Sequence, residues 1–469
     1  LTIIDLWAIM PLLFVACGSL LVLLLGAIMP GRYLTAVALI TSLAAGLWAI
    51  QASPVLVVNT LGVALTPLAR IFSVLFSLAA AVTLLLSHDY NVRRGITGEE
   101  YPATVLFALF GMLSLSVATN LLVLFLGLEA LTFAFYILVA FDTKSGKAAE
   151  AGLKYLLLGA ISAAFIAFGI ALLYAACGTL EIASAMRMGA TAGEKAPLVM
   201  AGWGLILTGA AFKVSLVPAH LWTPDVYQGG ASPVVAFLST CSKGAAILFL
   251  LMLLSPAGLL PGLHGPLWWL VLLSMVVGNL AALLQENLKR MLAYSSIAQM
   301  GYVTLALLAG RHEGYVAAAL YAILYAAMNL TAFGSIAVLS GEREVEEITA
   351  YRGIGYSHPL PAAFLALSMF ALAGIPPTAG FMGKFFIFAA AMRGGEWLLA
   401  LLGIFTAAIS VYFYLRVVVT LYMKVEEGKV AVNRPTLLET ATLSVVGLAI
   451  VALGIYPQPL LKLLEAALR

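Results

Sequence analysis

The chain has 469 residues, 63% of them apolar and only 10% charged, with a formal net charge of +3, against roughly 25% charged residues in soluble domains. That balance, with a mean hydropathy of +1.08, excludes water as the main solvent, and the dispersed basic residues exclude a nucleic-acid-binding surface. Cys17, Cys177 and Cys241 are too scattered for a disulfide framework, a zinc site or an iron–sulfur ligand set, and read as buried small hydrophobes.

A bilayer core demands about 20 apolar residues per helix. By that rule the sequence predicts an all-α membrane protein with helices at 6–25, 33–52, 64–86, 103–118, 120–141, 153–176, 198–217, 232–254, 266–285, 291–309, 314–340, 361–391, 396–423 and 436–456. The first follows Asp5 without a basic segment and precedes further apolar runs, so it reads as a span and not as a cleaved signal. The seventh is interrupted at Val217-Pro218-Ala219-His220, after which Thr223-Pro224-Asp225 and Gly229-Gly230 keep the chain irregular. The twelfth is too long for one straight span and carries Gly374-Ile375-Pro376-Pro377-Thr378-Ala379-Gly380. Proline removes a backbone donor and clashes with the preceding turn, so Pro218, Pro376 and Pro377 break these two helices.

Grouping helices 4–8 and 9–13 as five-helix blocks puts the broken helix fourth in each, and since five is odd the second block runs inverted. The expected organisation is three helices over 1–102, the first block over 103–255, the inverted block over 256–424 and a fourteenth helix within 425–469. Inverted repeats with discontinuous helices are a transporter architecture with sites near the bilayer midplane.

Lysine and arginine concentrate in cytoplasmic loops. With the N-terminus outside, the inner side receives Arg32, Arg93, Arg94, Lys144, Lys147, Lys289, Arg290, Arg343, Arg352, Lys424, Lys429 and Arg434, twelve of the 24 basic residues, against six outside. This bias favours an even number of spans and places both termini on the outer side.

The charges inside predicted helices are Arg70, Lys154, Lys213, Lys243, Lys384, Arg416 and the acid Glu129. Each costs about 2.5–3.5 kcal/mol at a helix centre and needs a reason. Arg70 and Arg416 lie near helix ends, where a long side chain snorkels to headgroups. Lys154 follows Glu150 by four residues, so an interfacial pair competes with an accessory place in a relay. Glu129, Lys213, Lys243 and Lys384 fall near mid-helix or beside a break, and one glutamate cannot neutralise three lysines. Full burial lowers a lysine pKa by about 3–5, enough to bring a value near 10.4 toward neutrality, so such a group can hold or shed a proton as a neighbouring carboxylate approaches or withdraws. His220, beside the Pro218 break, reads as a relay or as a cap. His88, His264, His312 and His358 are assigned to loops. Tyr294, Ser295, Ser296 and Gln299 in helix 10 either order water or bond between helices.

The stretch Phe212-Lys213-Val214-Ser215-Leu216-Val217-Pro218-Ala219-His220-Leu221-Trp222-Thr223-Pro224-Asp225-Val226-Tyr227-Gln228-Gly229 resembles the antiporter-like membrane subunits of bacterial-type NADH:quinone oxidoreductase, respiratory complex I. Its Thr-Pro-Asp-Val-Tyr-Gln-Gly ending resembles the subunit N branch in particular. Leu288-Lys289-Arg290-Met291-Leu292-Ala293-Tyr294-Ser295-Ser296 and Gly374 to Lys384 carry the resemblance further, over roughly residues 60 to 460. It implies a fourteen-helix membrane-arm subunit in the bacterial-type inner membrane, in contact with the other membrane-arm subunits and the lipid bilayer. Glu129, Lys213, Lys243 and Lys384 match the family's proton path, with Lys154 and His220 as accessories. No redox centre or metal is implied in this chain; NADH and quinone are used by the whole complex. Many relatives carry histidine where this chain has Gln299, which cannot titrate. Two rival readings are a subunit of a multisubunit cation/proton antiporter and a passive membrane scaffold.

Overall fold

The computed structural model describes residues 3–29, 31–52, 57–58, 61–96, 98–190, 193–256, 258–341, 344–423 and 435–469. Arg343, Lys424, Lys429 and Arg434, assigned above to the inner side, lie outside the described residues, as does the side chain of Arg32.

Three helices open the chain: α1 (Ile3–Gly26), α2 (Gly31–Gln51) and α3 (Pro67–Arg94). They are followed by α4 (Glu100–Ser116), α5 (Leu121–Val139), α6 (Gly146–Cys177), the short α7 (Ile182–Ala190), and α8 (Ala196–Val214) with its continuation α9 (Trp222–Gly229). Next come α10 (Ser232–Phe237) and α11 (Lys243–Leu254), joined without a gap by a π-helical turn, Leu238–Ser242. The second half has α12 (Pro261–Leu283), α13 (Leu288–Leu308), α14 (His312–Leu339), the one-turn α15 (Ile354–Ser357), and the two pieces α16 (Pro359–Ala373) and α17 (Ala379–Gly394). It closes with α18 (Trp397–Tyr422), α19 (Leu437–Ile455) and α20 (Gln458–Ala467). A two-residue hairpin, Val57–Val58 against Val63–Ala64, is the one sheet among the described residues.

Every predicted segment is occupied by helix, and both predicted interruptions are real. Among the described residues, twelve helices are long and apolar enough to cross a bilayer, while Glu100–Ser116 and Pro359–Ala373 are apolar but shorter. Polarity is inverted relative to a soluble protein. Lys213, Lys243 and Lys384 are buried, while Leu24, Ile40, Phe168, Phe405 and Val445 face outward, a surface that only lipid or another apolar protein face can cover.

Two expectations are corrected. The apolar run predicted to end at 86 continues as helix to Arg94, so His88 lies in α3, while His264 and His312 belong to α12 and α14. Hydropathy marks where the chain leaves hydrocarbon, whereas a helix ends where its last turn is capped, here by Gly95 at φ 60°. Cys17 is exposed and not buried, because outward positions in a bilayer-spanning helix are apolar too.

Helices α10–α11, α13 and α14 form the centre. Nearly every residue of the spans 232–254, 288–308 and 312–339 is buried, against about a third for α2, α6 and α19. Close packing fixes α5 in particular: a Cβ on Gly127 would lie 2.5 Å from the backbone nitrogen of Leu115, and one on Gly111 2.3 Å from that of Leu131. Helices α4 and α5 therefore touch backbone to backbone, which fixes the position of Glu129.

Candidate functional site

The two breaks are built alike. Helix α8 ends at Val214, and the next residue, Ser215, has φ 74°, a left-handed conformation that side chains other than glycine rarely adopt. Helix α16 ends at Ala373, followed by Gly374 at φ 85°. In both, the next two amides fold back onto the helix. Leu216 N donates to Ala211 O at 2.7 Å and Ser215 N to Phe212 O at 3.0 Å; Ile375 N donates to Phe370 O at 3.0 Å and Gly374 N to Ala371 O at 2.9 Å. This Schellman closure leaves the last two carbonyls of each half-helix without a backbone donor, in an interior without bulk water.

A lysine ammonium supplies the donor in each case. Lys243 Nζ donates to Val214 O at 3.0 Å and to Lys213 O at 3.4 Å. Lys384 Nζ donates to Leu372 O at 2.8 Å and to Ala373 O at 3.2 Å. Both amines thus sit on the negative end of a helix dipole and over an aromatic face, Lys243 4.6 Å from the Trp222 ring centre and Lys384 5.6 Å from that of Tyr302. Lys384 reaches the break from the second half of its own broken helix. Lys243 reaches it from α11, immediately after the π-helical turn, a feature that often marks functional positions.

The surroundings differ. Beside the first break, Lys213 is ion-paired with Glu129 at 2.8 Å and donates to Thr132 Oγ1 at 3.1 Å. Its amine side chain is 3% exposed and that of Glu129 24%; the acid, expected to be deep, sits at the rim of the bundle. Ser215 Oγ contacts Lys243 Nζ and lies 2.6 Å from Thr223 Oγ1. Trp222 Nε1 donates to Phe212 O at 3.0 Å while its ring stacks on Tyr155 at 4.5 Å. Around Lys384 no carboxylate lies within ion-pairing distance among the described residues. Its neighbours are neutral: Gln299 Nε2 donates to Leu372 O at 3.1 Å and to Tyr414 Oη at 3.1 Å, Tyr321 OH donates to Gln299 Oε1, and Ser295 Oγ contacts Tyr414 Oη. Tyr227 Oη and Ser296 Oγ, 3.2 Å apart, join α9 to α13. Ser295, Ser296 and Gln299 therefore bond between helices.

Lys154 is half exposed and pairs with both Glu150 and Asp225 at 2.7 Å. Asp225 also holds Arg290 at 2.7 Å, tying α9 to α6 and to α13. The structure does not bring Lys154 to the buried lysines. His220 is half-buried in the α8–α9 connection, where among the described residues it makes no hydrogen bond to Lys213, Lys243 or Glu129; its carbonyl accepts from Thr223 N at 2.9 Å. Arg70 and Arg416 reach carbonyls of neighbouring helices. Arg70 Nε donates to Ala49 O at 2.9 Å and its Nη2 to Ile50 O; Arg416 donates to Leu283 O at 3.5 Å and to Gln285 O. Each guanidinium caps the C-terminal end of a neighbouring helix.

Sequence reasoning missed a pair of carboxylates in the connection after α14. Glu344 pairs with Lys289 and accepts from the hydroxyls of Tyr90 and Ser232, while Glu346 pairs with Lys147 at 2.8 Å and accepts from Asn287 Nδ2 at 3.0 Å. Burial acts to raise the pKa of Glu344, but the Lys289 ammonium and the hydrogen bonds from Lys289, Tyr90 and Ser232 outweigh it and hold the carboxyl at about 2. Their only sequence signal is an acidic cluster in a loop, which gives no partner.

Discontinuous helices whose broken ends hold buried ammonium groups define a multi-pass membrane protein of the ion-transporter class. Residues 118–410 match the family described as NADH:quinone oxidoreductase/Mrp antiporter, TM. The chain is 63% identical to NADH-quinone oxidoreductase subunit N of Geotalea uraniireducens and 58% identical to that of Geobacter metallireducens, in both cases over 100% of each chain. A chain of respiratory complex I from Thermus thermophilus, solved with bound aureothin, superposes with a TM-score of 0.83 at 34% identity, covering 96% of this chain and 98% of that one. The chain belongs to this family, in its NADH-quinone oxidoreductase subunit N branch.

Proposed function

We propose that this chain is a proton-translocating membrane-arm subunit of NADH:quinone oxidoreductase, in which Glu129, Lys213, Lys243 and Lys384 hold and pass the proton. The observation that carries this reading is the repeated placement of a buried, carboxylate-free ammonium, Lys243 or Lys384, on the two free carbonyls of a broken helix. Helix-end carbonyls hold the amine and no carboxylate lies close enough to lock a proton on it, so the balance between holding and shedding that proton is open to a neighbouring charge. Glu129, 2.8 Å from Lys213, supplies the counter-charge whose approach or withdrawal tips that balance. Lys154 and His220 are accessories, Lys154 through the Asp225 network that opens to the inner face.

The domain arrangement that goes with this reading is three leading helices (1–102), two inverted five-helix blocks (103–255 and 256–424) and a last helix (425–469), fourteen spans in all. The shared cap geometry at Ser215 and Gly374 supports the pairing of the blocks. The chain lies in the bacterial inner membrane with both termini outside. Its partners are the other membrane-arm subunits, and NADH and quinone react elsewhere in the complex. The test is proton pumping by the complex in vesicles carrying Lys213→Ala or Lys384→Ala, normalised to assembled complex. Pumping is expected to fall tenfold or more, equivalent to about 1.4 kcal/mol; unchanged pumping per complex with reduced assembly would make the chain a scaffold.

A further inference from the structure

Lys384 and Gln299 share one acceptor atom. Leu372 O receives Lys384 Nζ at 2.8 Å and Gln299 Nε2 at 3.1 Å, and a carbonyl oxygen has two lone pairs, so both bonds are made at once. Hydrogen-bond chemistry fixes the orientation of the amide, because Leu372 O can only accept and so must face the NH₂ group. The second N–H goes to Tyr414 Oη, and Oε1 receives the Tyr321 hydroxyl. Gln299 is 1% exposed, and both its N–H donors and its carbonyl oxygen are in use.

We infer that Gln299 is a positioning residue for Lys384: it holds the broken end of α16 in register for the amine whether or not the amine carries a proton, and it does so without charge. When the amine is neutral or displaced, Leu372 O keeps the Gln299 donor, so one of the two end carbonyls of α16 stays bonded in the interior. The neutrality matters because the other groups at this level are neutral as well. The helices packed on α17 bring the hydroxyls of Tyr302 and Ser295 from α13, of Tyr321 and Tyr325 from α14, and of Tyr414 from α18, and α16 has no titratable residue. The acids of these helices lie at their ends, Glu313 in the first turn of α14 and Glu439 in the first turn of α19, where it is paired with Arg93 at 2.6 Å. The basic groups of α13, Lys289 and Arg290, are paired with Glu344 and Asp225, Arg416 of α18 is bound to Leu283 O and Gln285 O, and Arg393 and His312 lie in the last turn of α17 and the first of α14. The site therefore holds one positive charge or none. A carboxylate at position 299 would pair with the ammonium and trap its proton.

This inference rests on Lys384 lying on the proton path. Its test measures proton pumping and quinone reduction per assembled complex, from pH 6 to pH 9, for Gln299→Glu, Gln299→Leu and Lys384→Ala. Gln299→Glu, nearly the same size as the native residue, is expected to pump at least fivefold more slowly at pH 7 and to recover as the pH rises, since a trapped proton leaves more readily in alkali. Gln299→Leu is expected to lose pumping with no displacement of the pH profile. If Gln299→Glu and Gln299→Leu behave alike and neither profile moves, Gln299 is a packing residue and the inference falls, while the role of Lys384 stands. Normal pumping by Lys384→Ala overturns the path and the inference together. If Gln299→Glu does not assemble, Gln299→His carries the test: the imidazolium formed in acid repels the ammonium, so a new loss of pumping on the acid side supports a one-charge site, and an unchanged profile refutes it.

Discussion

The two broken helices end in the same closure and receive a lysine on the same two carbonyls, yet they differ in what surrounds that lysine. At the first break a carboxylate, Glu129, lies 2.8 Å from Lys213, and Lys243 meets Ser215 and the Trp222 face. At the second, Lys384 has an amide and a ring of phenol hydroxyls. One backbone device thus stands in two electrostatic settings: at the first break a carboxylate pairs with the neighbouring Lys213, and at the second no carboxylate lies within ion-pairing distance among the described residues.

The largest expected effect is at the counter-charge. Removing one partner of a buried pair costs about 3–5 kcal/mol, and Glu129, a quarter exposed, belongs at the lower end of that range. Glu129→Gln should reduce pumping per assembled complex tenfold or more, and pumping at the wild-type rate would erase the distinction between the two halves. Next come the caps. A side chain in the left-handed conformation costs about 1–2 kcal/mol, and a Cβ on Gly374 would meet Lys384 Cδ at 3.0 Å. Gly374→Ser should therefore lower the thermal-inactivation midpoint of the complex. Ser215→Ala, which keeps the backbone cost and loses the hydroxyl, should be less stable than Ser215→Gly, which loses both; the reverse order would show that the left-handed conformation at 215 costs a side chain nothing. The smallest effect is in the connection after α14. With its carboxyl held at about 2 against an ordinary 4.5, Glu344 contributes stability that is complete above about pH 4.5 and is lost as the pH falls toward 2. Thermal midpoints should therefore show no contribution from Glu344 between pH 6 and pH 8.

The helical segments and both interruptions are legible in the sequence because hydrocarbon thickness sets a run length and proline cannot stay inside a hydrogen-bonded ladder. Glu129, Lys213, Lys243 and Lys384 are legible because charge in an apolar run is costly. What they touch is not. Lys243 docks on the end of α8 from 29 residues beyond Val214, a pairing that depends on how α11 packs and on a π-helical turn with no sequence signature of its own. Asp225 stands in the quoted motif, but its two basic partners come from α6 and α13. Gln299, read in the sequence as a water-ordering or interhelical group and as a departure from relatives, acquires a specific role once Leu372 O is seen to accept from both it and Lys384.

Arg70 and Arg416 have a consequence for the surrounding membrane. Helices often adapt to a thinner or thicker bilayer by letting long basic side chains slide along the interface. These two guanidiniums are bound to the carbonyls that end α2 and α12, so neither can be drawn toward a phosphate without uncapping a helix. Those two ends keep their depth by protein contacts alone, and any adjustment to lipid composition must occur elsewhere on the perimeter.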